Sequence, residues 1–455
     1  MGGKGAALLV ALLVAASILP VIPSCSADAN TTSLPEKLLG IKYLRLKFLV
    51  EPTLASPSGD RDSLISSFSD ASGFLHQQKL KTSLLSPLDT DRRVAAVFPL
   101  QGNVYPSEKF YAQMSFGKSQ NLYSMDIDTG SDVAWLPCQV PPQAVYPQPS
   151  ADKLIRCDDP RCKAVHASTH QKHKCKSPTR CDFKVEYHDG FSAEGVLIAD
   201  TVVLHLTDGS VVHPSVAFGC MHAQGSNPSG MLGLGSGEIS IVSQLSSQGV
   251  FGRVTGHCLY GKGGGFFFLG DARLPPSGLT WAPMTRSNYY SPGPASLLWG
   301  TRSLGSSRSV LLDSGTPFTY FALQPYNNFI SALTNKVSKQ PLKRVKDSKL
   351  PYCWTGPKPF KSMSDVKQYL ETSLELRFDN GGASMTIPPE NYLIISNKGN
   401  ACLGIFNGSE AGLNRDVILI GDISMLDRLV IYDNDKRRIG WGSCDGLRKS
   451  VTSLL

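Results

Sequence analysis

Charge is scarce in this chain: Asp, Glu, Lys and Arg make up only 18% of its 455 residues, against about a quarter in an average soluble protein. Beside 41% apolar residues, that scarcity excludes a highly charged disordered chain. Long hydrophobic runs are missing too. The longest, Ala6 to Leu19, covers 14 residues and falls short of the ~18 that mark a membrane span. The net charge of +8 is modest, and the densest basic cluster, residues 339–349, holds an acid and no interleaved aromatic. Nucleic-acid binding needs a focused basic face, so the cluster reads as a solvated loop. Neither a nucleic-acid nor a membrane partner is expected. No HExxH occurs, which removes the helical signature of a zinc hydrolase.

What is abundant is turn-forming residues and cysteine. The chain holds 42 Gly and 30 Pro, favouring a turn-rich β protein over a helical bundle. It also holds 11 cysteines. Lys4, the short apolar run, Pro20 and the small residues up to Ala27 have the layout of a signal peptide (1–27), which predicts export through an oxidising pathway to the extracellular space or the vacuole. Its removal takes Cys25 and leaves ten cysteines, an even number that permits full pairing. Residues 28–93 contain no cysteine and end in Asp89-Thr-Asp-Arg-Arg93 before an apolar segment. They are expected to be a propeptide removed near Arg93, the alternative being a leader that stays attached. Asn30 and Asn407 begin sequons and are candidate glycosylation acceptors.

From Val94 onward, short runs such as KFYAQMSFG, LYSMDID, GVLIADTVVLHL, GGFFFLGD and RLVIYD are rich in β-branched and aromatic residues and punctuated by turn formers. The expected class is mainly β. Helices are predicted over 240–248, 324–338 and 365–369, and Asp208-Gly-Ser reads as a hairpin turn. A diverged duplication runs through the chain. YSMDIDTGSDVAWL in the first half answers SVLLDSGTPFTYF in the second, and Met231-Leu232-Gly233 answers Leu419-Ile420-Gly421. Asp128 precedes Gly233 by 105 positions, and Asp313 precedes Gly421 by 108. Two homologous lobes follow, 94–284 and 285–445, with a tail at 446–455.

Each Asp loop carries its own support. Gly130 and Gly315 give the backbone freedom for a sharp turn. Ser131 and Thr316 place a hydroxyl three residues past each Asp, and Thr129 and Ser314 are positioned to tie the loops together. Two facing carboxylates cannot both ionise cheaply, so they share a proton. One can then act as general base on a water while the other protonates a substrate carbonyl. No metal or cofactor is required.

Together DIDTGSDVAWLPC, CDFKVEYHDG, GMLGLGSGEISIVSQL, GHCLYGKGGGFFFLGD, LLDSGTPFTYF, DSKLPYCWTGPKPFKSMSDVKQY, PPENYLIIS and LIGDISMLDRLVIYDNDKRRIGW span roughly 97–445. Over this length the chain resembles a pepsin-type aspartic endopeptidase of the plant nucellin-like branch. The resemblance implies a bilobal fold with an active-site cleft between two homologous lobes, Asp128 and Asp313 as the catalytic pair, and a monomer acting on a polypeptide in extended conformation. It implies a flap hairpin in VEYHDGFSAEGVLIAD, with Tyr187, His188, Asp189 and Gly190 at its tip and Trp135 holding the tyrosine. His188 stands where relatives carry a small residue. QVPPQAVYPQPSADK after Cys138 lacks the cysteines that relatives place there.

Residues 157–181 mix four cysteines with His166, His170 and His173, and blind spacing would allow zinc. The oxidising compartment and a cysteine-stapled insertion in the family favour disulfides. Four cysteines allow three connectivities; nested pairing, Cys157–Cys181 and Cys162–Cys175, is the expectation. Resemblance further implies Cys353–Cys402 and Cys220–Cys444, leaving Cys138 and Cys258 to pair by elimination. A different function on the same scaffold is a catalytically silent binding protein, such as an inhibitor of cell-wall-degrading glycosidases.

Overall fold

The computed structural model describes residues 94–445 apart from 119–120, 139–145, 188–189, 223–228, 272–277 and 348–349. The leader, the Asn30 sequon, His188, Asp189 and the C-terminal tail therefore lie outside the described residues. No helix among those described is long and apolar enough to cross a membrane.

The chain is mainly β, as its short alternating and apolar runs require. Lys109–Ser115 and Gly293–Trp299 alternate buried with half-buried residues, one face on a core. Val254–Leu259 and Val417–Ile420 are buried at every position, being covered on both faces. The largest sheet has 13 strands, and a second has eight, seven in one path and one pairing off it.

The duplication is visible in the strand pairing. Leu122–Asp128 runs parallel to Gly230–Gly233, placing Asp128 opposite Gly233. On its other side Gly230–Gly233 meets Trp135–Cys138, antiparallel, with Met231 opposite Trp135. In the second half Arg308–Leu312 runs parallel to Val417–Ile420, which meets Thr319–Phe321 at Leu419 and Tyr320. Each apolar-apolar-glycine segment is thus a strand wedged between the two arms of an Asp loop. The glycines end these wedges for a steric reason. A Cβ on Gly233 would stand 2.3 Å from the carbonyl carbon of Asp132, and one on Gly421 would stand 2.0 Å from the carbonyl oxygen of Phe318.

The expected division at 284/285 does not divide the sheets. Arg428–Asp433 and Arg438–Ser443, from the second half, pair with each other, and the first of them pairs with Val254–Leu259 of the first half. Thr280–Pro283 then joins the outer edge at Arg438–Ser443.

Helices occupy Ile241–Ser247, Leu323–Val337 and Met363–Lys367, close to the three expected. Ser240 caps the first, accepting from Ser243 N. A further helix, Pro160–Ser168, lies in the Cys/His segment, where none is expected from the sequence. Its signal was Asp159-Pro160: Asp159 accepts from Arg161 N as N-cap, and proline occupies the first turn. Asp208-Gly-Ser forms a turn between Leu204–His205 and Val211–Val212, with Gly209 at φ 86° and Leu206 N donating to Ser210 O.

The disulfides correct most of the expected pairs. Cys157 pairs with Cys175 and Cys162 with Cys181, an interlaced and not a nested arrangement. The helix separates Cys157 from Cys162 and turns Cys162 inward, where it is fully buried beside Cys181. Cys138–Cys220 and Cys258–Cys444 replace Cys220–Cys444 and Cys138–Cys258. Trp135–Cys138 lies parallel to Ser215–His222 with Leu136 opposite Cys220, which puts Cys138 within bridging distance inside the first lobe. Cys353 and Cys402 are direct cross-strand neighbours and are bonded. Asn407 ends a strand, is buried, and donates its amide to Glu410 Oε1 at 2.9 Å.

Cys258–Cys444 closes a separation of 186 residues and Cys157–Cys175 only 18. Chain entropy values these at about 5 and about 3 kcal/mol. Urea unfolding of Cys258→Ala/Cys444→Ala should show the larger loss, and non-reducing peptide mapping should recover Cys258 joined to Cys444.

Candidate active site

Both aspartates sit at the ends of buried strands, and both are almost wholly shielded from solvent (0% and 1% exposed). Each carboxylate is held the same way. Gly130 N donates to Asp128 Oδ1 at 3.0 Å, and Ser131 Oγ donates to Asp128 Oδ2. In the second loop Gly315 N donates to Asp313 Oδ1 at 2.8 Å, and Thr316 Oγ1 to Asp313 Oδ2 at 2.7 Å. Donors to both oxygens fix the rotamer of each carboxyl.

The loops are locked by a reciprocal exchange. Thr129 N donates to Ser314 Oγ at 3.1 Å, and Ser314 N donates to Thr129 Oγ1 at 2.9 Å. Each hydroxyl then donates across to the other half's carbonyl, Thr129 to Leu312 O at 3.4 Å and Ser314 to Ile127 O at 3.3 Å. This lock brings the second carboxyl over the first loop: a Cβ on Gly130 would lie 2.6 Å from Asp313 Cγ. Only glycine fits there.

The flap strands Asp182–Glu186 and Ser192–Thr201 pair antiparallel, Glu186 opposite Ser192. Gly190 adopts φ 84° and donates to Tyr187 O. Trp135 Nε1 donates to Tyr187 Oη at 2.5 Å, both side chains being buried. Phe191 completes the cluster, 5.7 Å from the Tyr187 ring and 5.9 Å from Trp135. Sequence reasoning missed it, although the aromatic just after the flap turn was its signal.

Two further residues, Tyr289 and Asp132, belong to the site. Tyr289, with Asn288, lines the cleft cavity beside Gly130, Ser131 and Tyr187. Burial, then the charges of Asp132, Asp313 and Asp128, push its phenol up to about 12. Asp132 accepts from Gly237 N at 2.8 Å. Burial raises it from 3.8 to about 6, with the Gly237 bond opposing and the Asp128 charge adding. His257, on the shared sheet, lies against Tyr432 Oη at 3.3 Å and is pulled down to about 3 by burial.

Of the Cys/His mixture whose chain spacing would allow zinc, Cys162, His166, Cys175 and Cys181 converge within 4.8 Å. Their sulfurs are bonded in disulfides and offer no thiolate to a metal.

The two titrating groups give opposite pH slopes. The folded chain keeps the Asp132 proton where the unfolded chain has lost it, so this contribution is present in acid and fades as pH rises from about 4 to about 6. The unfolded chain takes up a His257 proton below about 6.5 and the folded chain does not, so stability is lost as pH falls from about 6.5 toward 3. Urea titrations across pH 3.5–7 should therefore show Asp132→Asn removing the first slope and His257→Phe the second. Parallel curves for variant and parent would contradict both.

Comparison with known proteins agrees with this geometry. Family profiles described as "Xylanase inhibitor N-terminal" and "Xylanase inhibitor C-terminal" match residues 110–271 and 298–443. The chain is 39% identical over 393 residues to an aspartic proteinase of Oryza sativa subsp. indica, covering 79% of this chain and 94% of that protein. It is 26% identical to "Aspartic proteinase 36" of Arabidopsis thaliana, covering 73% of each. Among solved structures it is similar in fold to basic 7S globulin from soybean (TM-score 0.63, 21% identity, 76% of this chain and 94% of that one). It also resembles an aspartic proteinase from Irpex lacteus (TM-score 0.56, 17% identity, 77% and 98%). With two matched Asp loops locked across the interface and these relatives spanned over most of their length, the chain belongs to the plant pepsin-type aspartic protease family.

Proposed function

We propose that the protein is an aspartic-type endopeptidase working in acid. The observation that carries this reading is the completeness of both carboxylate settings: each Asp keeps its glycine N–H, its hydroxyl and its buried place beside the other. A chain serving only as a scaffold has no need to keep all of them.

In the proposed mechanism the pair holds one proton. The ionised Asp takes a proton from a water as it attacks the scissile carbonyl, and the protonated Asp donates to the carbonyl oxygen. The tetrahedral species collapses with proton transfer to the leaving nitrogen, and no covalent enzyme intermediate forms. The substrate is an extended peptide whose backbone can hydrogen-bond to the flap strands. Tyr187, held by Trp135, closes over it and limits water. Synthesis as a secreted or vacuolar precursor, with removal of residues 28–93, is part of the same proposal.

A second reading has its own support. The matching profiles are named for xylanase inhibitors, which suggests a protein that binds a glycosidase and cleaves nothing.

Express residues 28–455, acidify, and measure cleavage of denatured globin between about pH 3 and 6. Cleavage should appear in the parent chain and fall by about 10²–10⁴ in Asp128→Asn and in Asp313→Asn. Activity surviving in either variant would remove the dyad from the mechanism. A folded, processed chain that cleaves nothing and inhibits a xylanase would establish the second reading instead.

A further inference from the structure

Between the strands Thr280–Pro283 and Gly293–Trp299 the second half passes through Asn288-Tyr289-Tyr290-Ser291. Tyr289 lines the cleft cavity, whereas its neighbour Tyr290 is only 1% exposed. A tyrosine so buried needs a partner for its hydroxyl, and that partner belongs to the first half.

Tyr290 Oη donates to Leu234 O at 3.0 Å, across 56 positions of chain. Leu234 directly follows the wedge strand Gly230–Gly233, and its own N–H donates to Asp128 O at 2.7 Å. The phenol therefore grips the residue that holds the backbone of the first catalytic loop. The main chain of Tyr290 reaches the second loop. Leu312 N donates to Tyr290 O at 3.0 Å, and Leu312 immediately precedes Asp313. Leu312 O in turn accepts from the Thr129 hydroxyl. One residue is thus joined to both Asp loops, by its side chain to one and by its backbone to the other.

The brace is itself held in place. Asn434 Nδ2 donates to Tyr290 Oη at 2.9 Å, which leaves the hydroxyl proton for Leu234 O. The ring packs on Tyr432, centroids 4.2 Å apart, and Tyr432 lies in Arg428–Asp433 of the sheet that both halves share. Burial pushes the phenol up, against the opposing Asn434 bond and with the charges of Asp132 and Arg253 acting on it. It stays a donor throughout the acid range.

The lock joins the loops at Thr129 and Ser314, each one residue past its Asp. A row of bonds at one level resists separation of the loops but lets them tilt about that row. A tie on the other side of the carboxyls is what stops the tilt. Tyr290 supplies it, at Leu312 just before Asp313 and at Leu234 beside Asp128.

We propose that Tyr290 is a positioning residue that sets the spacing of the Asp128 and Asp313 carboxyls, acting through Leu234 and Leu312. Its effect on rate rests on the endopeptidase reading; its effect on the loops does not.

Tyr290→Phe removes the hydroxyl and keeps the ring. The control is Tyr392→Phe: Tyr392 is also buried, and it donates to Thr372 O at 2.6 Å within the core of the second half. On a globin peptide that the parent cleaves, Tyr290→Phe should lower kcat about tenfold with KM unchanged. Tyr392→Phe should melt earlier yet keep its kcat. Hydrogen exchange read by mass spectrometry needs no substrate. The amides of Thr129, Leu234 and Ser314 should exchange about tenfold faster in Tyr290→Phe, and no faster in Tyr392→Phe, relative to the strand Lys109–Ser115. Should Tyr290→Phe fail to fold, Asn434→Ala keeps the hydroxyl and withdraws its donor, and the same amides should loosen to a smaller degree. Loop protection that is unchanged, or loosened equally by Tyr392→Phe, overturns the brace. So does a change confined to KM, or a kcat equal to the parent's. If the parent cleaves nothing and the loop amides loosen as described, the brace stands and the endopeptidase reading falls.

Discussion

The exchange between Thr129 and Ser314 is the constraint on which the rest of the structure depends. Two backbone N–H groups and two carbonyls, buried where no water reaches, are satisfied by hydroxyls from the opposite half. Unmade, each such bond leaves a buried polar group that costs about 1–3 kcal/mol. The lock therefore forms as a unit, and it requires both wedging strands to be in place beneath their loops. Once it closes, the carboxyls have no freedom: Asp313 lies over Gly130, and Asp128 is pinned from its own loop.

The halves meet in a second way. The 13-stranded sheet takes strands from both, and Cys258–Cys444 bonds them at the place where Cys258 pairs opposite Leu429. A cleft between lobes free to swing would present a dyad of variable spacing. A continuous sheet shared by both halves removes that freedom.

The insertion and the flap form one body. The interlaced disulfides and the His166 and Gln171 bonds hold the insertion to the first flap strand. The polar side chains Ser168, Thr169 and Gln171 line the cavity there.

Much of the site was legible in the sequence because its chemistry is local. Asp-Thr-Gly-Ser and Asp-Ser-Gly-Thr contain the carboxylate, the turn glycine and the supporting hydroxyl within four residues, and the hydrogen bonds join them as that spacing suggests. The flap pair Trp135 and Tyr187 required the family resemblance, since 52 residues separate them. Phe191, Tyr289, Asp132 and His257 were missed because burial and neighbouring charge, which set their behaviour, are properties of packing.

The cysteines show the boundary most plainly. Their number and the apolar leader sufficed to predict disulfides, since pairing in an oxidising compartment depends on chemistry and count. Which sulfur meets which depends on strand order and on a helix turning Cys162 inward, and only the folded chain brings those about. The sequence by itself determined the β class, the duplication and the two aspartates, whose signals lie within a few residues. Tertiary structure decided the partners, the shared sheet and the cleft wall, because contacts between residues up to 187 positions apart depend on the path of the whole chain.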